Sequence, residues 1–219
     1  MYKFIFVDYI FYVIVNIIVN YYISFTNFKY PVRIENSYNI NLIKKLNPYD
    51  YLKLNISKYI FLYLHNWFFI IQNNLSYNQS INIISIASYF IIQDFLFYGY
   101  HRLMHTNYLY IKFHKKHHEH IIPNSTSYNY SHIIDENIKN ISLILPIFII
   151  QFNRDTIYLL LIITQIWDII IHESKFRFKV KYINTPGNHL VHHMYKNNTY
   201  NCGYWTIIPD IIFRTYYEN

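Results

Sequence analysis

Residues 93–120 read QDFLFYGYHRLMHTNYLYIKFHKKHHEH, an apolar run that closes on two histidine boxes, HRLMH (His101, His105) and HKKHH (His114, His117, His118). A third box, HLVHH (His189, His192, His193), follows, so the three hold eight of the chain's twelve histidines. On a helix, residues three or four apart share a face with Cβ atoms roughly 5–6 Å apart. Each box therefore presents two or three imidazoles in one direction, as a metal held by nitrogen donors requires. Eight such ligands are too many for one ion and fit two. The spacing predicts a two-metal site carried on helices.

The approach to the first box has its own pattern. Asp94, Tyr98, His101 and His105 fall within about 60° of one another on a helical wheel at 100° per residue. A carboxylate within a membrane helix is costly unless it faces a partner. Asp94 is therefore expected to orient and polarise a ligating imidazole, with a polar helix–helix contact as the alternative. His172 ends a later apolar segment, with Asp168 one turn before it on the same face, and is expected as a further ligand supported by Asp168. Of the remaining histidines, His65 is expected to bond between helices and His120 to lie exposed beside the second box.

Composition says where such a site sits. The chain is 53% hydrophobic and 14% charged with three glycines, which fits neither a disordered polymer nor an ordinary soluble domain. One cysteine, Cys202, excludes an internal disulfide and a thiolate-based metal site. The net charge of +7 does not indicate nucleic acid, because the basic residues flank apolar segments instead of forming a stripe with aromatic stacking partners.

Four apolar stretches are candidates for a bilayer of about 30 Å hydrocarbon thickness. Residues 4–23 read as an uncleaved anchor, since the segment lacks a basic leader beyond Lys3 and a small-residue cleavage site. Residues 59–71 are short, and residues 81–100 run straight into the first box. Residues 141–171 are too long for one span and are interrupted by Pro146 and by Asn153–Arg154–Asp155. They predict a helical hairpin, or one span plus an interfacial helix, with Pro146 supplying the break. Lys and Arg crowd residues 24–57, 101–118 and 175–214, whereas residues 73–80 carry no charge. Positive charge stays cytoplasmic, so all three boxes are expected on that side. The predicted fold is all-α: a multi-spanning membrane helical bundle of about four transmembrane helices with a histidine-rich helical cap on its cytoplasmic face.

The order HRLMH, HKKHHEH with Pro123 nearby, IHESKF at 171–176 and HLVHHMYKNNTYNCGYW at 189–205 resembles the fatty acid hydroxylase superfamily of membrane histidine-box di-iron enzymes. Within it the chain looks most like the sterol C-5 desaturase (lathosterol oxidase) branch, over residues 93–215. The resemblance implies that His101, His105, His114, His117, His118, His189, His192 and His193 bind two iron ions. The IHES segment resembles the IHDG-like segment of that branch and supports His172 as a ninth ligand. HIID at 132–135 looks like HPID and makes His132 a candidate lining or ligand residue. Asn129 and Asn188 stand where the branch has histidines. The resemblance further implies an endoplasmic reticulum membrane enzyme with a lipid substrate, fed electrons from NAD(P)H by a cytochrome b-type carrier and its reductase. That carrier is expected to be a separate protein. Residues 1–80 are then N-terminal membrane segments and residues 81–219 a single hydroxylase-like catalytic region.

The donors also bear on the chemistry directly. Imidazole suits zinc, copper, iron and nickel alike. A zinc pair would polarise water for hydrolysis, but such sites generally include bridging carboxylates, and only Glu119 and Glu173 adjoin the boxes. A nearly all-nitrogen site in a membrane suits a redox metal that binds dioxygen and attacks an unactivated C–H bond. Three readings stand: dioxygen-dependent desaturation or hydroxylation of a sterol-like lipid, hydroxylation of a fatty acyl or sphingoid chain, and a membrane metal-binding protein without catalysis. No catalytic residue beyond the metal centre is expected, and zinc can substitute for iron.

Overall fold

The computed structural model describes residues 82–218, apart from residues 126, 151, 177 and 196–199. The stretches at residues 4–23 and 59–71, with His65, lie outside the described residues. Among the described residues the chain is helical, with no strand and one isolated antiparallel bridge between Ile183 and Thr206.

Helix α1 (Ile83–Met104) starts where the Asn82 side chain accepts the Ile84 N–H at 2.9 Å. At 1.5 Å per residue its 22 residues extend about 33 Å, the thickness of a bilayer core. Tyr89, Gln93, Phe97, Tyr100 and Met104 recur every three or four positions and turn inward, while Ile83, Ile84, Ile91 and Leu103 remain exposed. Helix α2 (Ile133–Ile149) begins at His132, whose Nδ1 accepts the Ile134 N–H, and Asp135 and Glu136 sit in its first turn, where the helix dipole favours anions. Helix α3 (Arg154–His172) is capped by Asn153, which accepts the Thr156 N–H. Two helices, Ile83–Met104 and Asp155–His172, are long and apolar enough to cross a membrane.

The hairpin expected from residues 141–171 is present as α2 and α3, but Pro146 does not make its turn. Pro146 lies inside α2, and the chain reverses beyond Ile149, ahead of the Asn153 cap. A proline forfeits one helix hydrogen bond. Its neighbours Ile144 and Ile147 are packed in a core cluster with Tyr89, Phe152, Ile157, Leu160 and Leu161, which holds the helix through the defect. Helix α2 also starts earlier than the apolar run, because its first turns carry the polar residues that serve the site.

A second cluster, Phe97, Tyr100, Met104, Leu143 and Tyr204, packs beneath the histidines. Polar clasps tie the crossing of α1 and α2: Gln93 Nε2 donates to the Leu143 carbonyl at 3.0 Å and to Tyr89 Oη at 2.9 Å. Helix α4 (Pro186–Met194) carries the third box, with proline in its first turn and Thr185 as its cap. A C-terminal loop and the short helix α5 (Ile208–Ile212) close the structure. In that loop Gly203 leaves no room for a side chain, because a Cβ would collide with the Thr206 carbonyl.

Candidate metal centre

The C-terminal ends of α1 and α3, the N-terminal end of α2 and helix α4 meet at one end of the bundle. Between α1 and α2 the chain forms a helical turn (Asn107–Leu109), a π-helical turn (Tyr110–His114) and a 3₁₀ turn (His117–Glu119). The π turn is closed by a bond from Lys115 N–H to the Tyr110 carbonyl at 2.7 Å, a widening frequent at functional sites.

These elements bring together the eight box histidines and His172. They form two groups, His101, His105, His114, His118 and His192, and His117, His172, His189 and His193; within each, one donor atom per residue lies within 4.8 Å of the others. Each group draws on different boxes, and the consecutive pairs His117–His118 and His192–His193 are split between them. Neighbouring residues on a helix point about 100° apart, so the two members of an HH pair turn towards different groups. The i,i+4 pairs His101/His105, His114/His118 and His189/His193 each stay within one group. The groups adjoin, since the His118 and His193 rings stack with centroids 4.5 Å apart.

Hydrogen bonds at the far side of the rings fix which nitrogen faces inward. His101 Nδ1 meets the Cys202 carbonyl at 3.1 Å, His192 Nδ1 that of Tyr200 at 2.8 Å, His193 Nδ1 that of His120 at 2.9 Å and His172 Nδ1 that of Asp168 at 2.6 Å. A carbonyl only accepts, so each Nδ1 carries the proton and each Nε2 presents a bare lone pair. His114 Nδ1 likewise meets Asp135 Oδ2 at 2.9 Å. Across the boxes Nε2 atoms crowd one another, with or without such a carbonyl behind the ring: His192–His105, His192–His118 and His118–His114 are each 3.2 Å apart, and His193–His189 3.1 Å. Nitrogens held about 2.0–2.1 Å from one ion at tetrahedral or octahedral angles lie about 2.9–3.4 Å apart. His172 Nε2 is buried without a hydrogen-bond partner. Converging lone pairs and an orphaned inward nitrogen fit two cations, one per group.

Electrostatics agree. Burial first, then neighbouring imidazoles, push His117, His118, His189 and His193 well below the ordinary histidine value. Burial takes His192 down to about 3, against the Tyr200 carbonyl that favours its charged form. These rings are neutral donors at neutral pH, the form that ligates metal. Burial also pushes the Cys202 thiol well up, so it supplies no thiolate.

Behind the imidazoles lies a polar layer. Asp135 holds His114 and also accepts from Tyr100 Oη. Lys139 Nζ bridges Glu136 at 3.0 Å and Asp168 at 3.1 Å, binding α2 to α3. A cavity of about 30 Å³ lies between the two groups, lined by His101, His114, His117, His172 and His189. It has room for one or two water-sized molecules.

Other expected site residues sit differently. Asp94 touches no imidazole; its carboxylate accepts backbone N–H bonds from Tyr204, Trp205 and Thr206 and a hydroxyl bond from Thr206, pinning the C-terminal loop to α1. Asp168 supports His172 through its peptide carbonyl, while its carboxylate faces Lys139. His132 belongs to neither group: it caps α2 and packs against Phe113 at 5.1 Å. His120 is fully buried, edge-on to Tyr130, and its carbonyl steers His193, so the expected exposure is corrected. Asp135, Glu136 and Lys139 were not legible as site residues; the acidic pair three residues before a lysine reads as an ordinary solvated helix start.

A family model described as Fatty acid hydroxylase matches residues 86–215. The Delta(7)-sterol 5(6)-desaturase erg32 of Schizosaccharomyces pombe is 25% identical over 188 residues, covering 86% of this chain and 56% of that protein. The Delta(7)-sterol 5(6)-desaturase of Eremothecium gossypii is 24% identical, covering 87% and 54%. The lathosterol oxidase of Homo sapiens is 30% identical over 133 residues, covering 59% and 44%. The chain thus spans about half the length of the curated relatives it matches. No solved structure matches it.

Proposed function

The chain belongs to the fatty acid hydroxylase family, and we propose that it is a membrane oxidoreductase that uses dioxygen to desaturate or hydroxylate a lipid, a sterol at the C-5 position first of all. The observation that carries this reading is the pair of nitrogen-only groups sharing one small cavity, in a chain similar to Delta(7)-sterol 5(6)-desaturases. Two iron ions, one in each group, would supply the redox chemistry that lets dioxygen attack an unactivated C–H bond, and zinc can take the same nitrogen sites.

The chain's own residues do the rest. His101, His105, His114, His118 and His192 hold one ion, and His117, His172, His189 and His193 the other. The Cys202, Tyr200, His120 and Asp168 carbonyls and the Asp135 carboxylate keep a proton on Nδ1 of their partner rings, which leaves Nε2 free to ligate. Phe97, Tyr128 and Ile171 wall the cavity and keep bulk water from the oxidant. In this reading residues 81–219 are the catalytic unit, residues 1–80 add membrane segments to reach about four spans, and the site faces the cytoplasm from the endoplasmic reticulum. Electrons arrive from NAD(P)H through a separate cytochrome b-type carrier and its reductase.

The test is a lipid profile of a yeast strain lacking its own C-5 sterol desaturase, with and without the chain. Return of C-5-unsaturated sterols, absent with a His172→Ala variant, is the expected result. Unchanged sterols with newly hydroxylated acyl or sphingoid chains would move the substrate to the second class. No lipid change from a metal-loaded chain would end the enzymatic reading.

A further inference from the structure

On leaving α3 the chain runs Lys175–Phe176–Arg177–Phe178–Lys179–Val180–Lys181–Tyr182, a strict alternation of basic and apolar residues. Its described part is non-helical and mostly exposed, with Phe176 49% and Val180 52% accessible. Together with α4 and α5 it walls an open groove of about 550 Å³, lined among others by Phe178, Lys179, Lys181, Leu190 and Ile211. Ile208 and Ile212 of α5 and Phe213 just beyond it are exposed as well. An apolar expanse of this kind marks an interaction surface, and the volume lies in the range of small-molecule sites, about 300–1,000 Å³.

Its level is set by the two helices able to cross a membrane. The basic–apolar segment begins three residues after His172, the end of α3. The opposite wall, which includes Ile211 of α5, is tied to α1, since α5 packs on α1 and Phe213 just beyond α5 stacks on Tyr98 with ring centroids 5.1 Å apart. Tyr98 is six residues short of Met104, about 9 Å from the end of α1. Both walls thus stand where spans emerge and lipid headgroups begin. Lysines interleaved with aromatic and aliphatic side chains at that depth match anionic headgroups above acyl carbons. One acidic residue, Glu218, lines the groove.

We propose that this groove binds an anionic glycerophospholipid of the surrounding bilayer, its phosphate against Lys179 and Lys181 and its upper acyl carbons against Phe178, Leu190 and Ile211. Through Thr185 and Asn188, which line the groove and flank the start of α4, the bound lipid would steady the helix that carries the third histidine box. The proposal rests on α1 and α3 crossing a bilayer and is independent of the reaction catalysed.

Native mass spectrometry of the full chain in uncharged detergent tests it, with dioleoylphosphatidylserine, dioleoylphosphatidylcholine and inorganic phosphate as probes. Phosphatidylserine should bind in preference to phosphatidylcholine. The Lys179→Gln/Lys181→Gln variant should lose roughly ten- to thirty-fold of that affinity, as two surface lysines against an anionic lipid imply, with phosphatidylcholine binding unchanged. Metal content and thermal midpoint verify that the variant is folded; in the wild-type chain, raising the salt should weaken phosphatidylserine selectively. Equal affinity for the two lipids, an unaffected variant, or displacement of phosphatidylserine by phosphate alone would overturn the proposal. Release of the chain from membranes by alkaline carbonate would overturn the membrane placement together with it.

Discussion

Replacing Asp94 by asparagine separates two roles that its position on α1 allows. The carboxylate is 3% exposed and receives the N–H groups of Tyr204, Trp205 and Thr206 and the Thr206 hydroxyl. Asn keeps one acceptor oxygen, which can retain the Tyr204 bond at 3.1 Å and the Trp205 bond at 2.8 Å. Its amide nitrogen, however, would replace the acceptor 3.2 Å from the Thr206 N–H and leave that donor only the longer 3.4 Å contact to the remaining oxygen. Weakening that part-buried bond and removing charge assistance from the surviving ones should together cost about 1–3 kcal/mol. The loop so loosened includes Cys202, whose carbonyl orients His101, but no histidine of either group loses its direct partner. Asp94→Asn should therefore lower the unfolding midpoint in detergent clearly while freshly purified protein keeps its full metal content. An unchanged midpoint with metal lost would refute this reasoning and restore the role that the helical wheel suggests, polarisation of an imidazole.

Asp135→Asn keeps the shape of the contact to His114 Nδ1 but removes its charge. Metal affinity of the five-histidine group should fall about 10–100-fold, read by chelator competition, with the four-histidine group unaffected. Lys139→Met strands Glu136 and Asp168 as buried, uncompensated carboxylates and should cost about 3–5 kcal/mol, read as a lower thermal midpoint than Lys139→Arg. In metal-free protein, the folded-state values of His117, His118, His189, His192 and His193 lie below the unfolded value of about 6.5. The unfolded chain then binds more protons below that value, so stability is full above about pH 6.5 and declines as the pH falls beneath it. A thermal midpoint unchanged between pH 7.5 and pH 5 in chelator-stripped protein would contradict neutral, buried imidazoles.

How far the sequence could be read depended on whether a feature was local. The i,i+4 histidine pairs are short-range geometry, so their convergence was legible from spacing alone. His172 was legible because its segment ends at the level of the boxes. The division of the HH pairs between two groups was not, since it depends on the angle at which α4 meets the turns after α1. Asp94 shares a helix face with His101, yet a loop more than a hundred residues later takes its carboxylate. His120 looked exposed because its partners, Tyr130 and His193, lie on other elements. Pro146 resembled a break, but core packing around Ile144 and Ile147 outweighs one missing hydrogen bond. The start of α2 was hidden because its inward face is ionic, and the ion pairs that make it so reach across to α3.

The most direct test of the two-ion account is the metal content of the purified full chain, measured with group-selective variants alongside. The count decides rather than the element, because zinc accepts the same nitrogen donors as iron. Two ions per wild-type chain are expected, and one after His172→Ala, which opens the four-histidine group and leaves the five-histidine group whole. One ion or fewer in wild-type protein with all nine histidines intact, or equal loss from both groups in the variant, would contradict it.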